Sequence, residues 1–164
     1  MRRLRPPLAG GPSNTTGLLV IGWQERIDLP QLGLTRLHAK IDTGARTSAL
    51  HADEINSFDK DGETWVRFHT RFDDDARDLD VEWPVLERRE VKNTGGVPEE
   101  RIVIRTRFRI AGRAWPIDLS LTDRGDMRFR MIVGRTALRG HSIVVHPGRR
   151  NLAGPPDRPK EIDS

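Results

Sequence analysis

The sequence predicts an all-β fold, a barrel or a sandwich built from short strands. Strand-like stretches are short and separated by turn signals, which is the pattern typical of both architectures. Only one short segment, residues 135–139 directly after Gly134, looks helical, and the chain contains no internal repeat. At 164 residues the chain is long enough for one core and short for two. We therefore expect a single all-β domain.

The predicted strands follow one another closely along the chain. They are 18–24, 35–41, 64–72, 101–110, 113–121, 130–133 and 142–146. Ala111-Gly112 separates the fourth from the fifth, which predicts a tight hairpin. Residues 1–16 and the proline-containing tail 155–164 are predicted to be disordered because their composition cannot supply a core. The folded domain is then expected to span 17–154.

The tripeptide Asp42-Thr43-Gly44 follows the second predicted strand and occurs once. Two carboxylates held about 3 Å apart share one proton, so that one can activate water while the other protonates a carbonyl oxygen. A chain with one such carboxylate completes this dyad only by pairing with a second chain. The same tripeptide is also an ordinary turn, because Asp bonds its own backbone and Gly accepts positive φ. The tripeptide alone leaves both interpretations open.

The residues around this tripeptide carry a family resemblance. The run 40–51, Lys-Ile-Asp-Thr-Gly-Ala-Arg-Thr-Ser-Ala-Leu-His, resembles the signature of the retropepsin-like aspartic protease family whose members are often called ATP-dependent zinc proteases. Its best-known members are RimB-type proteins associated with RimK-like glutamate ligases. Residues 20–23 resemble the opening strand, 91–104 the central hairpin, and 131–135 the closing apolar-apolar-Gly-Arg element. The resemblance covers roughly residues 17–154.

This resemblance implies a retropepsin-like (acid protease) closed barrel with one short helix and one lobe per chain. Asp42 would be the catalytic carboxylate of a homodimer. Thr43 would brace its turn against the partner chain, and Gly44 would leave room for substrate while its amide steadies the carboxylate. Ala45 would contact a peptide or protein substrate. Gly134 would let the apolar element pack closely beneath the Asp42 turn.

The stretch 93–96, Asn-Thr-Gly-Gly, would be a flap that closes over substrate. Gly95 and Gly96 would supply its mobility, although a double glycine also makes any tight hairpin. Arg88 and Arg89 precede the flap and would suit an acidic or polyglutamylated protein tail, because arginine binds carboxylates with a planar fork. The resemblance also implies a functional pairing with an ATP-grasp glutamate ligase.

No metal and no cofactor are expected. The chain has no His-Glu-x-x-His motif, no cysteine and no Gly-x-x-x-x-Gly-Lys-Ser/Thr loop, so its residues give no basis for zinc or ATP binding. A third interpretation is a zinc hydrolase, which would lose its activity when a chelator is added.

An alternative of another class is a non-catalytic binding module. Arg105, Arg107 and Arg109 recur at period two and share one strand face, which is either solvated or holds an acidic protein or RNA. Nucleic acid is disfavoured, because there is no tyrosine and the Trp and Phe residues lie mostly in predicted strands. No membrane-spanning segment is expected. Residues 1–12 lack the apolar stretch of a signal peptide, so we expect a cytoplasmic protein.

Overall fold

The computed structural model describes residues 17–71, 78–92, 95–123 and 128–160. These ranges contain strands, a 3-10 turn at Pro30–Leu32 and one helical turn, α1, at Arg135–Leu138. The strands are β1 Leu19–Gly22, β2 Gln24–Leu29, β3 Leu34–Asp42, β4 Ser48–His51, β5 Asp53–Lys60, β6 Glu63–Arg71, β7 Asp78–Pro84, β8 Glu87–Lys92, β9 Pro98–Ile110, β10 Arg113–Thr122, β11 Met131–Gly134 and β12 Ile143–His146. Within the same ranges no helix is long and apolar enough to cross a membrane.

Six strands close into a barrel in the order β10-β4-β11-β3-β2-β9, with β9 pairing back onto β10. The all-β closed barrel with one short helix is therefore confirmed. Its core is aliphatic and aromatic, with Phe108 and Leu37 fully buried. The predicted hairpin is β9–β10, and Ala111 and Gly112 both have positive φ, as a two-residue turn of type I′ requires.

Strand β11 lies between β3 and β4, although it comes much later in the chain. It runs parallel to β3, with Gly134 opposite Asp42, and antiparallel to β4, with Met131 opposite Leu50. Parallel neighbours end at the same edge of a sheet. The turn after β3 and the start of α1 therefore meet at one end of the barrel.

Three further structures surround the barrel. β8 extends the sheet by pairing with β9, β5-β6-β7 form a separate three-stranded antiparallel sheet, and β1 and β12 form a parallel pair. The strand pattern did not predict β4, β5, β7 or β8, although the family resemblance implied a hairpin at 91–104, and the first predicted strand ended where β2 begins. The charged, largely exposed faces of β5 and β7 explain two of these omissions, because they weaken the apolar alternation that marks a strand.

The segment after β12 is held at Leu152 and Ala153 by the buried carboxylate of Glu25. Glu25, 1% exposed, accepts hydrogen bonds from the backbone N–H groups of Gly22 at 2.6 Å, Leu152 at 2.8 Å and Ala153 at 3.1 Å. Beyond this point, the Gly112 N–H donates to the carbonyl of Pro156 at 2.8 Å, so chain contacts continue past the expected domain boundary at 154. Disorder was expected for 1–16 and 155–164, and of these residues 1–16 and 161–164 lie outside the described ranges.

Candidate active site

The turn after β3 presents the Asp42 carboxylate at the end of the barrel. The Ala45 N–H donates to the Asp42 carbonyl at 3.1 Å, which closes the turn. The Gly44 N–H donates to Asp42 Oδ1 at 3.1 Å, so an amide steadies the carboxylate as expected. Asp42 is half-buried, whereas Thr43 and Gly44 are exposed. The carboxylate thus has a fixed direction and remains open to a second molecule.

The backbone beneath this turn is packed against Gly134. A Cβ added at Gly134 would lie 2.7 Å from the carbonyl carbon of Thr47 and 3.0 Å from the carbonyl oxygen of Ala45. Only glycine allows this approach, because both neighbours are backbone atoms. The Gly134 N–H also donates to Ser48 Oγ at 3.0 Å. The close packing expected of this glycine is present.

The start of α1 holds the turn from the other side. The Arg135 N–H donates to the Ala45 carbonyl at 2.9 Å, and Arg135 Nη1 donates to the Gly44 carbonyl at 3.1 Å. Thr136 donates to the Arg46 carbonyl from its N–H at 3.2 Å and from its Oγ1 at 2.7 Å. The position of Asp42 is therefore set by a segment that lies far away in the sequence.

An open groove of about 720 Å³ begins beside Thr43. Its apolar lining comes from β12 and its surroundings, and Arg135 and Arg139 contribute charge to its wall. Leu18, which also lines the groove, is 62% exposed. This groove is the concave surface nearest to Thr43 among those that the structure describes.

The two arginines expected to bind substrate lie on opposite faces of β8. Arg89 Nη1 donates to Thr47 Oγ1 at 2.9 Å, and the Arg89 guanidinium also pairs with Glu87. Arg88 instead donates to Glu100 and to Ser57 Oγ, both at 2.6 Å. The structure therefore brings Arg89 to the Asp42 turn and directs Arg88 toward the three-stranded sheet.

The expected flap coincides with the connection between β8 and β9. The two strands pair in antiparallel register from Glu87 opposite Val103 to Lys92 opposite Pro98, which agrees with the predicted central hairpin. Gly95 and Gly96 lie in the connection, and Gly96 has a φ of +76°, which favours glycine. The other two flap residues, 93 and 94, fall outside the described ranges.

The predicted arginine face of β9 is partly used within the fold. Arg105 Nε donates to Asp118 at 2.8 Å, and this hydrogen bond raises the pKa of Arg105. Arg109 donates to Asp28 from Nε at 2.9 Å and from Nη2 at 2.7 Å. Arg107 is exposed. Two of the three guanidiniums are therefore already paired with carboxylates.

Among the described residues there is no group of three His, Cys, Asp or Glu side chains that could hold a metal ion. His69 lies on the three-stranded sheet, where its Nδ1 is 2.9 Å from Asp80 Oδ1, and this hydrogen bond raises its pKa above the usual 6.5. His141 stacks on Trp115 with ring centroids 3.9 Å apart, and burial lowers its pKa.

Some residues around the turn had no role in the sequence analysis. Arg46, Thr47 and Ser48 lie within the family-like run, but their types alone do not show what they contact. In the structure, Thr47 Oγ1 accepts a hydrogen bond from Arg89, and Ser48 Oγ accepts one from the Gly134 N–H. Spacing could have indicated only that they follow the Asp42 turn.

A six-stranded barrel that presents one Asp-Thr-Gly turn, backed by a Gly-Arg helix start, defines a retropepsin-like lobe. A family model described as RimB-like, retropepsin-like aspartic endopeptidase RimB, matches residues 20–156. The chain belongs to this RimB-like family.

Curated relatives carry a different kind of name. The chain is 40% identical over 139 residues to a probable alpha-L-glutamate ligase of Parasynechococcus marenigrum, a match that covers 84% of this chain and 30% of that protein. The corresponding match in Desulfotalea psychrophila is 39% identical over 127 residues and covers 76% and 27%. The chain thus spans less than a third of the length of these relatives.

A solved structure supports the fold. The crystal structure of a Legionella pneumophila protein of unknown function matches with a TM-score of 0.69 at 24% identity. The match covers 84% of this chain and 99% of that chain. At this identity the likeness concerns architecture alone.

Proposed function

We propose that the chain is an aspartic endopeptidase that works as a homodimer, with Asp42 from each subunit forming the catalytic dyad. The observation that carries this proposal is the geometry of the turn. The carboxylate is oriented by the Gly44 N–H, the turn is pinned from beneath by Gly134, and the adjoining Thr43 and Gly44 are exposed. Membership of a family described as retropepsin-like aspartic endopeptidases supports the same chemistry.

The proposed reaction is direct attack of water on an amide. The two Asp42 carboxyl groups share one proton. The ionised group removes a proton from water as the oxygen attacks the carbonyl carbon, and the protonated group donates its proton to the carbonyl oxygen. Collapse of the tetrahedral intermediate breaks the C–N bond: the carboxyl group that took a proton from water delivers it to the leaving nitrogen, and the other carboxylate takes a proton back from a hydroxyl of the intermediate. This proposal uses no metal and no cofactor.

The second subunit is proposed to bind on the face that carries Thr43. The groove beside Thr43 is lined by apolar side chains, and exposed Leu18 lies at its edge. In the described chain β12 pairs only with β1, which leaves its other edge open. An open strand edge beside exposed apolar side chains favours pairing with another chain. Docking there would bring a second Asp42 toward the first.

The substrate is proposed to be an acidic or polyglutamylated protein tail. Relatives named as probable alpha-L-glutamate ligases carry a segment similar to this chain, which suggests functional pairing with an ATP-grasp glutamate ligase in the cytoplasm. The alternative, a non-catalytic module using the β9 arginines, has weaker support because Arg105 and Arg109 are paired with carboxylates of the same chain.

The first test is the solution mass of the purified chain by light scattering across a dilution series near neutral pH. The proposal expects a dimer, and cleavage of a glutamate-rich peptide that disappears in Asp42→Asn while the dimer persists. A monomer at every concentration, with and without peptide, would contradict the proposal. Cleavage that survives in Asp42→Asn would contradict it as well.

A further inference from the structure

Arg46 differs from Arg88, Arg89 and Arg135, whose side chains have partners within the fold. Arg88 is paired with Glu100, Arg89 with Glu87, and Arg135 donates to the Gly44 carbonyl. The Arg46 side chain is exposed and makes no hydrogen bond or ion pair with the residues that the structure describes. Arg139 in the wall of the groove beside Thr43 is exposed as well, but Arg46 lies in the chain directly after the Asp42 turn.

The backbone of Arg46 is nevertheless rigidly placed. Its carbonyl accepts hydrogen bonds from the Thr136 N–H and Oγ1 at 3.2 and 2.7 Å. The next residue, Thr47, accepts a hydrogen bond from Arg89 of β8 at 2.9 Å. Arg46 therefore lies where the turn meets the β8–β9 hairpin. A peptide held between the Asp42 carboxylate and that hairpin would pass close to Arg46.

We propose that Arg46 determines specificity by binding a carboxylate side chain of the substrate near the cleaved bond. This inference rests on the proposed function, whose acidic substrate it refines. A guanidinium binds a carboxylate through two parallel hydrogen bonds, which gives direction as well as charge. Its fixed backbone reduces the conformational entropy lost on binding. Arg89 acts on substrate indirectly, as a positioning residue that braces Thr47.

Binding can be measured apart from hydrolysis in Asp42→Asn protein. The probes are fluorescently labelled acetyl-tetraglutamate amide and acetyl-tetraglutamine amide, measured by fluorescence anisotropy. Arg46→Gln should weaken tetraglutamate binding about tenfold, and Arg46→Lys about threefold because charge remains but the fork is lost. Binding of tetraglutamine should change less than twofold.

Arg107→Gln is the matched control, because Arg107 is also exposed and its loss changes the net charge equally. It should leave tetraglutamate binding within twofold. Equal losses for Arg46→Gln and Arg107→Gln would mean that only net charge matters and would overturn the inference. So would failure of tetraglutamate to bind, or equal losses for the two peptides.

A separate readout distinguishes this inference from the proposed function. If peptide binding depends on Arg46 but the unmodified chain cleaves nothing, the protease proposal fails and Arg46 remains an acid-binding residue. If cleavage depends on Asp42 but KM for tetraglutamate-containing peptides is unchanged in Arg46→Gln, the protease proposal stands and the inference about Arg46 fails.

Discussion

The ion pair between Asp28 and Arg109 should be important for the stability of the barrel. Asp28 is 2% exposed and accepts hydrogen bonds from Arg109 Nε and Nη2 at 2.9 and 2.7 Å, and from the Arg36 N–H at 2.8 Å. Asp28 and Arg109 are also the one registered pair between β2 and β9 in the described chain. The pair therefore lies at the junction between β2 and β9 in the barrel.

Replacing Asp28 with Asn should lower the free energy of unfolding by about 3 kcal/mol. Removing one partner of a buried ion pair typically costs about 3–5 kcal/mol. The lower end applies because the Arg109 side chain is 32% exposed and an Asn oxygen can still accept one of the hydrogen bonds. For a chain of this size each kcal/mol corresponds to roughly 2–4 °C in Tm. The expected fall in Tm is thus about 6–12 °C.

The assay is urea denaturation with thermal unfolding as a second measure, using Arg105→Gln as the control. Arg105 lies on the same strand face and pairs with Asp118 at 2.8 Å, but that pair is largely exposed. Breaking it should cost less than about 1 kcal/mol. A double-mutant cycle of Asp28→Asn with Arg109→Gln would isolate the coupling. Similar losses for the buried and the exposed pair would refute the reasoning.

Two further predictions concern Gly134 beneath the Asp42 turn and His69 on the three-stranded sheet. Gly134→Ala should lower the free energy of unfolding by about 1–3 kcal/mol and lower kcat/KM at least tenfold. The new Cβ would lie 2.7 Å from the carbonyl carbon of Thr47, so the backbone after the Asp42 turn would have to shift. Unchanged peptide cleavage and stability would contradict this prediction. His69 should titrate above 6.5 in NMR, and Asp80→Asn should lower its pKa. Because the folded pKa is raised, His69 stabilises the fold below its unfolded pKa and this contribution is lost as pH rises through the folded pKa; a His69 pKa unaffected by Asp80→Asn would exclude the ion pair as the cause.

The sequence predicted the barrel well where strands have a clear apolar period. β3, β9 and β10 alternate buried and exposed residues or bury long apolar runs, and all three were predicted. β2 was obscured because it buries Glu25 and Asp28, whose charges are matched by partners distant in the chain. Local pattern cannot reveal such partners, so the strand did not look like a core strand.

In the candidate site, the sequence predicted the local geometry of the turn but not the environments of the arginines. Asp42 and Gly44 make the contact that the tripeptide implied, because that contact is local. The different environments of Arg88 and Arg89 depend on which face of β8 meets the barrel, and on registers with other strands. Those registers are set by the whole sheet, so a basic pair in the sequence could not be divided into its two roles.

The late insertion of β11 between β3 and β4 has a consequence for how the protein is made. The hydrogen bond from Gly134 to Ser48 joins residues 86 positions apart, so the support beneath the Asp42 turn does not exist until β11 leaves the ribosome. At about 5–20 residues per second this takes on the order of ten seconds after β4 is synthesised. During that interval β3 and β4 lack the strand that separates them. A nascent chain without β11 therefore cannot hold the Asp42 turn in place, and truncated translation products should lack any cleavage activity that depends on this turn.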